Sequence, residues 1–372
     1  MGHVQKRSDR RYQARWVDPD GRERAQTFTR KIDAERHLAS VEGAKLQGTY
    51  VDRSNAITVS EYAKQWAATR PHRASTAKRT ESLISTHIEG TALGSRRLVA
   101  VRPSEVQAWA TDRAQRLAPS TLRLVVKTLS SVFNAAVGDR LVASSPVQRL
   151  SLPRAERERI VPLTVAQVKA LAGAMPPRCK AMVIAQAGLG LRVGELLALR
   201  IEDVDFLRRT VRVDWQTTPD GKRRVPPKTP RSRRTVPLPQ VVAESLAEHI
   251  AAYPPGIDGS LFTTPHGYSW RHDHYGTRVF APAVKKGNLP FCTTTHDLRH
   301  HYASVLLAAG ESVVAVAERL GHENATLVLT TYGHLLPDSE DRTRRAIEDA
   351  WISDGPGTDG GDAAKAFGLV KG

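Results

Sequence analysis

Between Thr295 and Leu335 the chain reads THDLRHHYASVLLAAGESVVAVAERLGHENATLVLTTYGHL. It crowds two histidine clusters, an arginine three residues after a histidine, and a tyrosine at the end of an apolar run. Guanidinium, imidazole and phenol are groups that hold, protonate or attack a phosphate. So many of them in forty residues is more than a plain core segment needs, and the rest of the chain can be read as equipment for bringing DNA to Tyr332.

Cleaving a DNA strand without a metal sets three tasks. The phosphodiester must be neutralised and held, a nucleophile must lie in line, and the leaving oxygen must receive a proton. Arginine suits the first, because its planar fork stays charged and can bind two phosphate oxygens. A tyrosine hydroxyl can do the second, and lysine or histidine the third. Candidates for each are present. Arg192, in GLGLRVGELLAL, is expected at a helix start where backbone N–H groups favour an anion. Glu195 lies three residues on, on the same face, and can orient the guanidinium. His296 and Arg299 share a second helix start, with Asp297 as a capping candidate. Lys228 falls in a turn among seven basic residues between Lys222 and Arg234, with no acid in that interval. His322 follows Leu320-Gly321 at a helix end, and Tyr332 follows the next helical run.

The elements that must position these groups divide the chain. At 372 residues there is room for two or three cores, and a hydrophobic content of 40% supports folded domains. The first fifty residues hold eleven Lys or Arg against seven Asp or Glu. Asp-Pro-Asp-Gly predicts a hairpin over Tyr12 to Phe28, and a helix capped by Asp33 should follow, ending near Gly48. Such a small sheet carrying Arg15, Arg22 and Arg24 could enter a DNA groove. From Thr58 to Ser145 the apolar spacing predicts four amphipathic helices in a bundle. Its polar positions carry Arg73, Lys78, Arg79, Arg123 and Lys127, residues suited to phosphate contact more than base reading. A solvated face explains each singly just as well.

The proline-rich, highly charged segment around residues 145–164 reads as a linker with a boundary near residue 155, one that would let two basic domains close on a duplex. Beyond it come helices broken at Gly188 to Gly190, then two or three short strands from Thr210 to Pro239, then helices again up to DSEDRTRRAIEDAW. The Gly-rich end after Ser353 has no core-forming pattern. The expected division is 1–54, a DNA-binding module; 55–150, a helical DNA-binding domain; 151–160, a linker; 161–352, a mixed α+β catalytic domain; and 353–372, a tail. The fold class is multidomain and mainly α with small β-sheets. There is no internal repeat.

A net charge of +17 and a pI near 10.2 point to a polyanionic partner. Two cysteines cannot build a disulfide framework or a Cys-rich zinc site, no apolar run marks a membrane span, and the N-terminus lacks a signal-peptide pattern. A cytoplasmic location is expected.

Four ordered motifs, GLRVGELLAL, PKTPRSRRTVPLP, HDLRHHYA and LGHENATLVLTTYGHL, resemble the tyrosine recombinase family, in particular its phage-integrase-type members. The resemblance covers about residues 160–350 and, more weakly, the two upstream domains. It implies that Tyr332 attacks the phosphate to form a 3′-phosphotyrosyl link and frees a 5′-hydroxyl. Arg192 and Arg299 would clamp the phosphate, Lys228 would protonate the leaving oxygen, and His296 would transfer a proton with Tyr332. His322 would be a further donor and Glu195 the supporting acid. Neither ATP nor a metal or other cofactor is implied. The partners implied are double-stranded DNA at core and arm sites, further copies of the chain in a tetramer on DNA, and a host DNA-bending protein and directionality factor. The setting implied is the nucleoid of a bacterial host. Arg231, Arg233 and Arg234 compete with Lys228 in sequence and are otherwise candidates for DNA contact.

Other readings cover less. SVVAVAERLGHENATLVLTTY can be read as the helix-turn-helix of a non-enzymatic regulator, which leaves Arg192, Lys228, His296 and Arg299 without a purpose. A metal-dependent nuclease lacks a carboxylate cluster near the basic motifs. His296, His300 and His301 look like metal ligands, but Arg299 among them would repel a cation. Tyr302 competes as a nucleophile, yet it continues into the apolar ASVLLAAG and fits a core position. His334 is expected to pack or cap near the tyrosine segment.

Overall fold

The computed structural model describes residues 2–19, 21–47, 50–52, 57–71, 74–154, 159–227, 229–335 and 340–353. Arg73 and Lys228, the predicted helix end at Gly48 and the tail beyond Ser353 lie outside them. The chain forms two compact units, residues 1–157 and 158–372.

The first unit opens with an antiparallel sheet of β1 (His3–Lys6), β2 (Tyr12–Val17) and β3 (Glu23–Phe28), with β2 in the centre. The predicted hairpin pairs Tyr12 with Phe28 and Val17 with Glu23; β1 adds an edge strand that its four mostly exposed residues did not signal. Helix α1 (Lys31–Leu46) packs on this sheet. Its N-cap is Arg30, and Asp33 is not the cap: it sits in the first turn and receives two hydrogen bonds from Arg30 instead. Opposed residues share a sheet face. Trp16 is opposite Arg24, whereas Arg15 is opposite Ala25 on the other side.

Four helices follow as expected: α2 (Val59–Thr69), α3 (Ala74–His87), α4 (Pro103–Ala114) and α5 (Pro119–Gly138). Thr58 and Glu61 form a reciprocal capping box on α2, and proline occupies the first turn of α4 and α5, where its missing N–H costs nothing. Val59, Trp66, Ile88, Leu129 and Phe133 build the bundle core.

In the second unit, α6 (Val165–Ala174), α9 (Gln240–Ala252) and α12 (Thr295–Ala308) pack around α7 (Pro177–Leu189). After α7 comes α8 (Val193–Leu196), only one turn long. The β segment holds more strands than expected: β4 (Val204–Asp205), β5 (Thr210–Val213) and β8 (Arg234–Pro237) form one antiparallel sheet, and β6 (Gln216–Thr217) with β7 (Arg224–Val225) a separate ribbon. Two-residue strands give no period to read, which is why the pattern undercounted them. Helix α10 (His272–His274) runs through a π-helical turn at Tyr275–Phe280 into α11 (Ala281–Lys286). Last come α13 (Val313–Leu320), α14 (Thr326–Tyr332) and α15 (Glu340–Ser353). The mainly helical architecture with small antiparallel sheets is the one expected. No helix among the described residues is long and apolar enough to cross a membrane.

Candidate active site

Arg192, Glu195, Arg299 and His322 come from three separate stretches of the second unit and meet at the C-terminal end of α13. Helix ends leave carbonyls without intrahelical partners, and the helix dipole makes them attractive to cations. Here three successive carbonyls each take one arginine. Arg234 Nε donates to Arg319 O at 2.7 Å, Arg299 Nη2 to Leu320 O at 2.5 Å, and Arg192 Nη2 to Gly321 O at 3.2 Å. Gly321 ends the helix in the left-handed conformation at φ +63°, which turns the chain so that His322 follows directly.

Arg192 is the N-cap of α8. Its backbone N–H is not open to an anion as expected: it donates to Glu195 Oε2 at 2.9 Å, while its Nη1 donates to Oε1 at 2.6 Å. Glu195 is 2% exposed and also receives Arg234 Nη2 at 2.9 Å. Burial alone would raise its carboxyl; the charge and hydrogen bond of Arg234, with the charge of Arg192, outweigh that and hold it at about 2. Arg234 is therefore not placed for DNA. Its side chain is 5% exposed, and strand alternation sets it on the inner side with Val236.

Thr294 caps α12 in a capping box in which Asp297 is the third-residue acid. One turn further, Arg299 is 1% exposed and donates to Gly190 O at 2.6 Å as well as to Leu320 O. Gly190 stands at φ +64°, and a Cβ there would come within 2.4 Å of the Tyr302 ring, so glycine is required for both reasons. Burial and the nearby Arg192 charge pull the Arg299 pKa down to about 9, which still leaves it charged at neutral pH.

Arg299 Nη2 also lies 2.9 Å from His322 Nε2. A guanidinium can only donate, so Nε2 accepts and the imidazole proton sits on Nδ1. That Nδ1 is buried with no protein partner. Burial and the Arg299 charge lower the His322 pKa to about 4, so the ring is neutral. Beside it opens a cleft of about 760 Å³ lined by Arg192, Glu195, Thr229, Ser232, His322 and Thr330, among others. Pro227 and Thr229, the neighbours of Lys228, are both on its wall.

Tyr332 ends α14 and is 2% exposed, packed among Ala303, Leu307, Val316, Leu320 and Val328. Burial raises its hydroxyl to about 12, against the opposing Arg299 charge. The hydrogen-bond partner of that hydroxyl is His300 Nδ1, at 2.5 Å, rather than His296. His296 is exposed at the start of α12 and meets His300 edge-on, ring centroids 4.6 Å apart. The sequence places His300 four residues after His296, on the same helix face, and leaves open which of the two meets the tyrosine. Tyr302 packs with the Tyr332 cluster, as a core residue should, and His334 Nε2 lies 2.9 Å from Ile160 O.

The other basic candidates separate by exposure. Arg15, Arg22, Lys78, Arg79, Arg123, Lys127 and Arg233 are exposed, as is Arg231, although it donates to Glu323 O. Arg24 is spent within the first unit. It donates to the buried Asp18 at 3.0 Å and pairs with Asp52, on the sheet face opposite to Arg15.

Residues 162–338 match the Phage integrase family, and residues 1–48 match the Phage integrase, N-terminal domain. A putative prophage phiRv2 integrase of Mycobacterium tuberculosis is 28% identical over 344 residues, 88% of this chain and 90% of that protein. A tyrosine recombinase of Thermosipho africanus is 30% identical over 209 residues, 55% of this chain and 68% of its own length. Among solved structures, the Tn1549 transposon integrase in complex with a circular intermediate DNA superposes with a TM-score of 0.69 at 26% identity, covering 79% of this chain and 99% of that one. A lambda integrase tetramer bound to a Holliday junction shares the fold, with a TM-score of 0.60 at 17% identity over 87% of this chain and 96% of that one. With residues 1–48 and 162–338 matched, and a tyrosine recombinase 30% identical over 68% of its own length, the chain belongs to the phage integrase family, the tyrosine site-specific recombinases.

Proposed function

We propose that this recombinase cleaves and rejoins DNA for integration and excision with Tyr332 as nucleophile. Tyr332 gives its phenolic proton to an imidazole of α12 and attacks the scissile phosphorus, the bond to the 5′ oxygen breaks, and a 3′-phosphotyrosyl link remains. Arg192 and Arg299 bind the non-bridging oxygens and offset the charge that builds up in the transition state. The Nδ1–H of His322 donates to the same phosphate. Lys228 gives its proton to the departing 5′ oxygen. A 5′-hydroxyl from a second strand then reverses the step, and the energy of the broken bond is retained in the phosphotyrosine. Glu195 orients Arg192, with Arg234 behind it.

The observation that carries this reading is the gathering of Arg192, Arg299 and His322 at one cleft, with the Nδ1 of His322 buried and without a protein partner. A buried donor without an acceptor is costly, and an anionic oxygen in the cleft would satisfy it.

Three parts serve this chemistry. Residues 1–54 bind arm sites through the open sheet face bearing Arg15, and residues 55–150 bind the core site, with Lys78, Arg79, Arg123 and Lys127 on phosphates. Residues 161–352 carry the chemistry, with Arg231 and Arg233 toward DNA. The active form is a tetramer on two DNA sites in the bacterial cytoplasm and nucleoid, with C-terminal helices exchanged between subunits and a DNA-bending protein and directionality factor assisting. The test is incubation with nicked suicide duplexes in EDTA. A covalent adduct lost in Tyr332→Phe is expected; cleavage that needs a divalent metal, or an adduct that survives the substitution, overturns the reading.

A further inference from the structure

The phenol of Tyr332 has to lose its proton when it attacks, and the group placed to take it differs from the one the family resemblance suggested. His300 Nδ1 is 2.5 Å from the Tyr332 hydroxyl, and the two rings meet at a centroid separation of 5.4 Å with 63° between their planes. His296 has no such contact among the described residues; its ring reaches only the edge of His300. His300 directly follows Arg299 on α12, so the element that presents a phosphate ligand also presents a base to the nucleophile. The charged and titratable groups facing the pair are His296, Asp297 and Arg299 on α12, while α14 contributes only Tyr332.

We infer that His300 is a catalytic residue of strand cleavage, the general base that accepts the phenolic proton of Tyr332. The inference rests on the reading of Tyr332 as nucleophile. In the cleavage step the Oη–H bond of Tyr332 breaks and its proton passes to Nδ1 of neutral His300. Oη bonds to phosphorus, and the P–O5′ bond breaks with its electron pair leaving on the 5′ oxygen, which takes a proton from Lys228. In rejoining, imidazolium His300 returns the proton to the departing phenolate. Burial keeps His300 below its ordinary pKa, so the ring is in its neutral, accepting form at neutral pH. His296 then acts on His300, by packing against its edge, and not on the phenol.

The test is single-turnover adduct formation by the full chain on a suicide duplex, with His300→Asn and His300→Gly beside wild type. His300→Asn should bind DNA normally and form adduct about 100-fold more slowly or worse at neutral pH. Its rate should climb with pH, because the phenol must then ionise unaided, and added imidazole should restore part of the rate in His300→Gly. On a duplex with a 5′-bridging sulfur, whose leaving group needs no acid, the defect of His300→Asn should persist while a Lys228→Ala defect disappears. A His300→Asn rate within about threefold of wild type, or above it, overturns the assignment. So does a defect that neither pH nor imidazole relieves, which is what a purely structural role would give. If instead wild type forms no adduct, or Tyr332→Phe still does, the nucleophile reading has failed rather than the base.

Discussion

Arg192 and Arg299 have matching chemistry and opposite surroundings. Arg192 caps a one-turn helix, keeps 36% of its side chain exposed at the cleft, and is paired with a carboxylate. Arg299 is interior to a fourteen-residue helix, nearly all buried, and its hydrogen-bond partners are two carbonyls and a neutral imidazole. A buried charge without a full counter-charge is expensive to hold. The cost makes sense where an anion is to arrive, because the site then carries a positive excess shaped before the substrate enters. Glu195 offsets part of that excess, but it is shared with Arg234.

The contrast can be broken in order of expected effect. Arg299→Ala should fail twice, slowing adduct formation about 100- to 1,000-fold and destabilising the fold, because Gly190 O and Leu320 O lose a donor at about 1–3 kcal/mol each. Arg192→Ala should show a similar rate loss with a smaller fall in the urea midpoint, since Glu195 keeps Arg234 and water reaches the place of a side chain that is 36% exposed. Equal destabilisation by the two substitutions would remove the distinction.

Arg234→Ala sharpens it from the other side. It leaves Glu195 buried with one partner and Arg319 O without its donor, so a stability loss of about 3 kcal/mol is expected in denaturant titrations. Non-specific DNA affinity should hardly change, contrary to what a DNA-contacting arginine would show.

Acid should loosen the same cluster. His322 is lowered from 6.5 to about 4 in the folded protein, so between those values the unfolded chain binds more protons, and this contribution to stability is lost as pH falls through that window. Glu195, lowered from 4.5 to about 2, extends the loss further down. Thermal melts from pH 8 to pH 4 should decline most steeply below 6.5, and His322→Asn should flatten the upper part of that slope. The smallest effect is expected from Arg231→Ala or Arg233→Ala. Cleavage at saturating DNA should be unchanged, while the salt dependence of binding loses roughly one phosphate's worth of slope.

Much of the site was legible in residue order. Arg192 with Glu195, His296 with Arg299, and the glycine turn before His322 are local signals, fixed by helix spacing and by the left-handed backbone that Gly321 supplies. The four helices of the bundle and the hairpin at Tyr12–Phe28 could be read because their apolar periods extend over several turns or strand pairs. Sequence type alone, however, made every arginine in PKTPRSRRTVPLP equally fit for DNA. Strand β8 decided otherwise by turning Arg234 onto the face of Val236, and β3 did the same for Arg24 beside Trp16. Which histidine meets Tyr332 was also beyond the sequence, because it depends on how α14 packs back on α12 thirty residues away. Spacing along the chain determines which groups share a turn of helix. Only packing determines which of them face a partner across the core, and there burial sets both the hydrogen bond and the charge state.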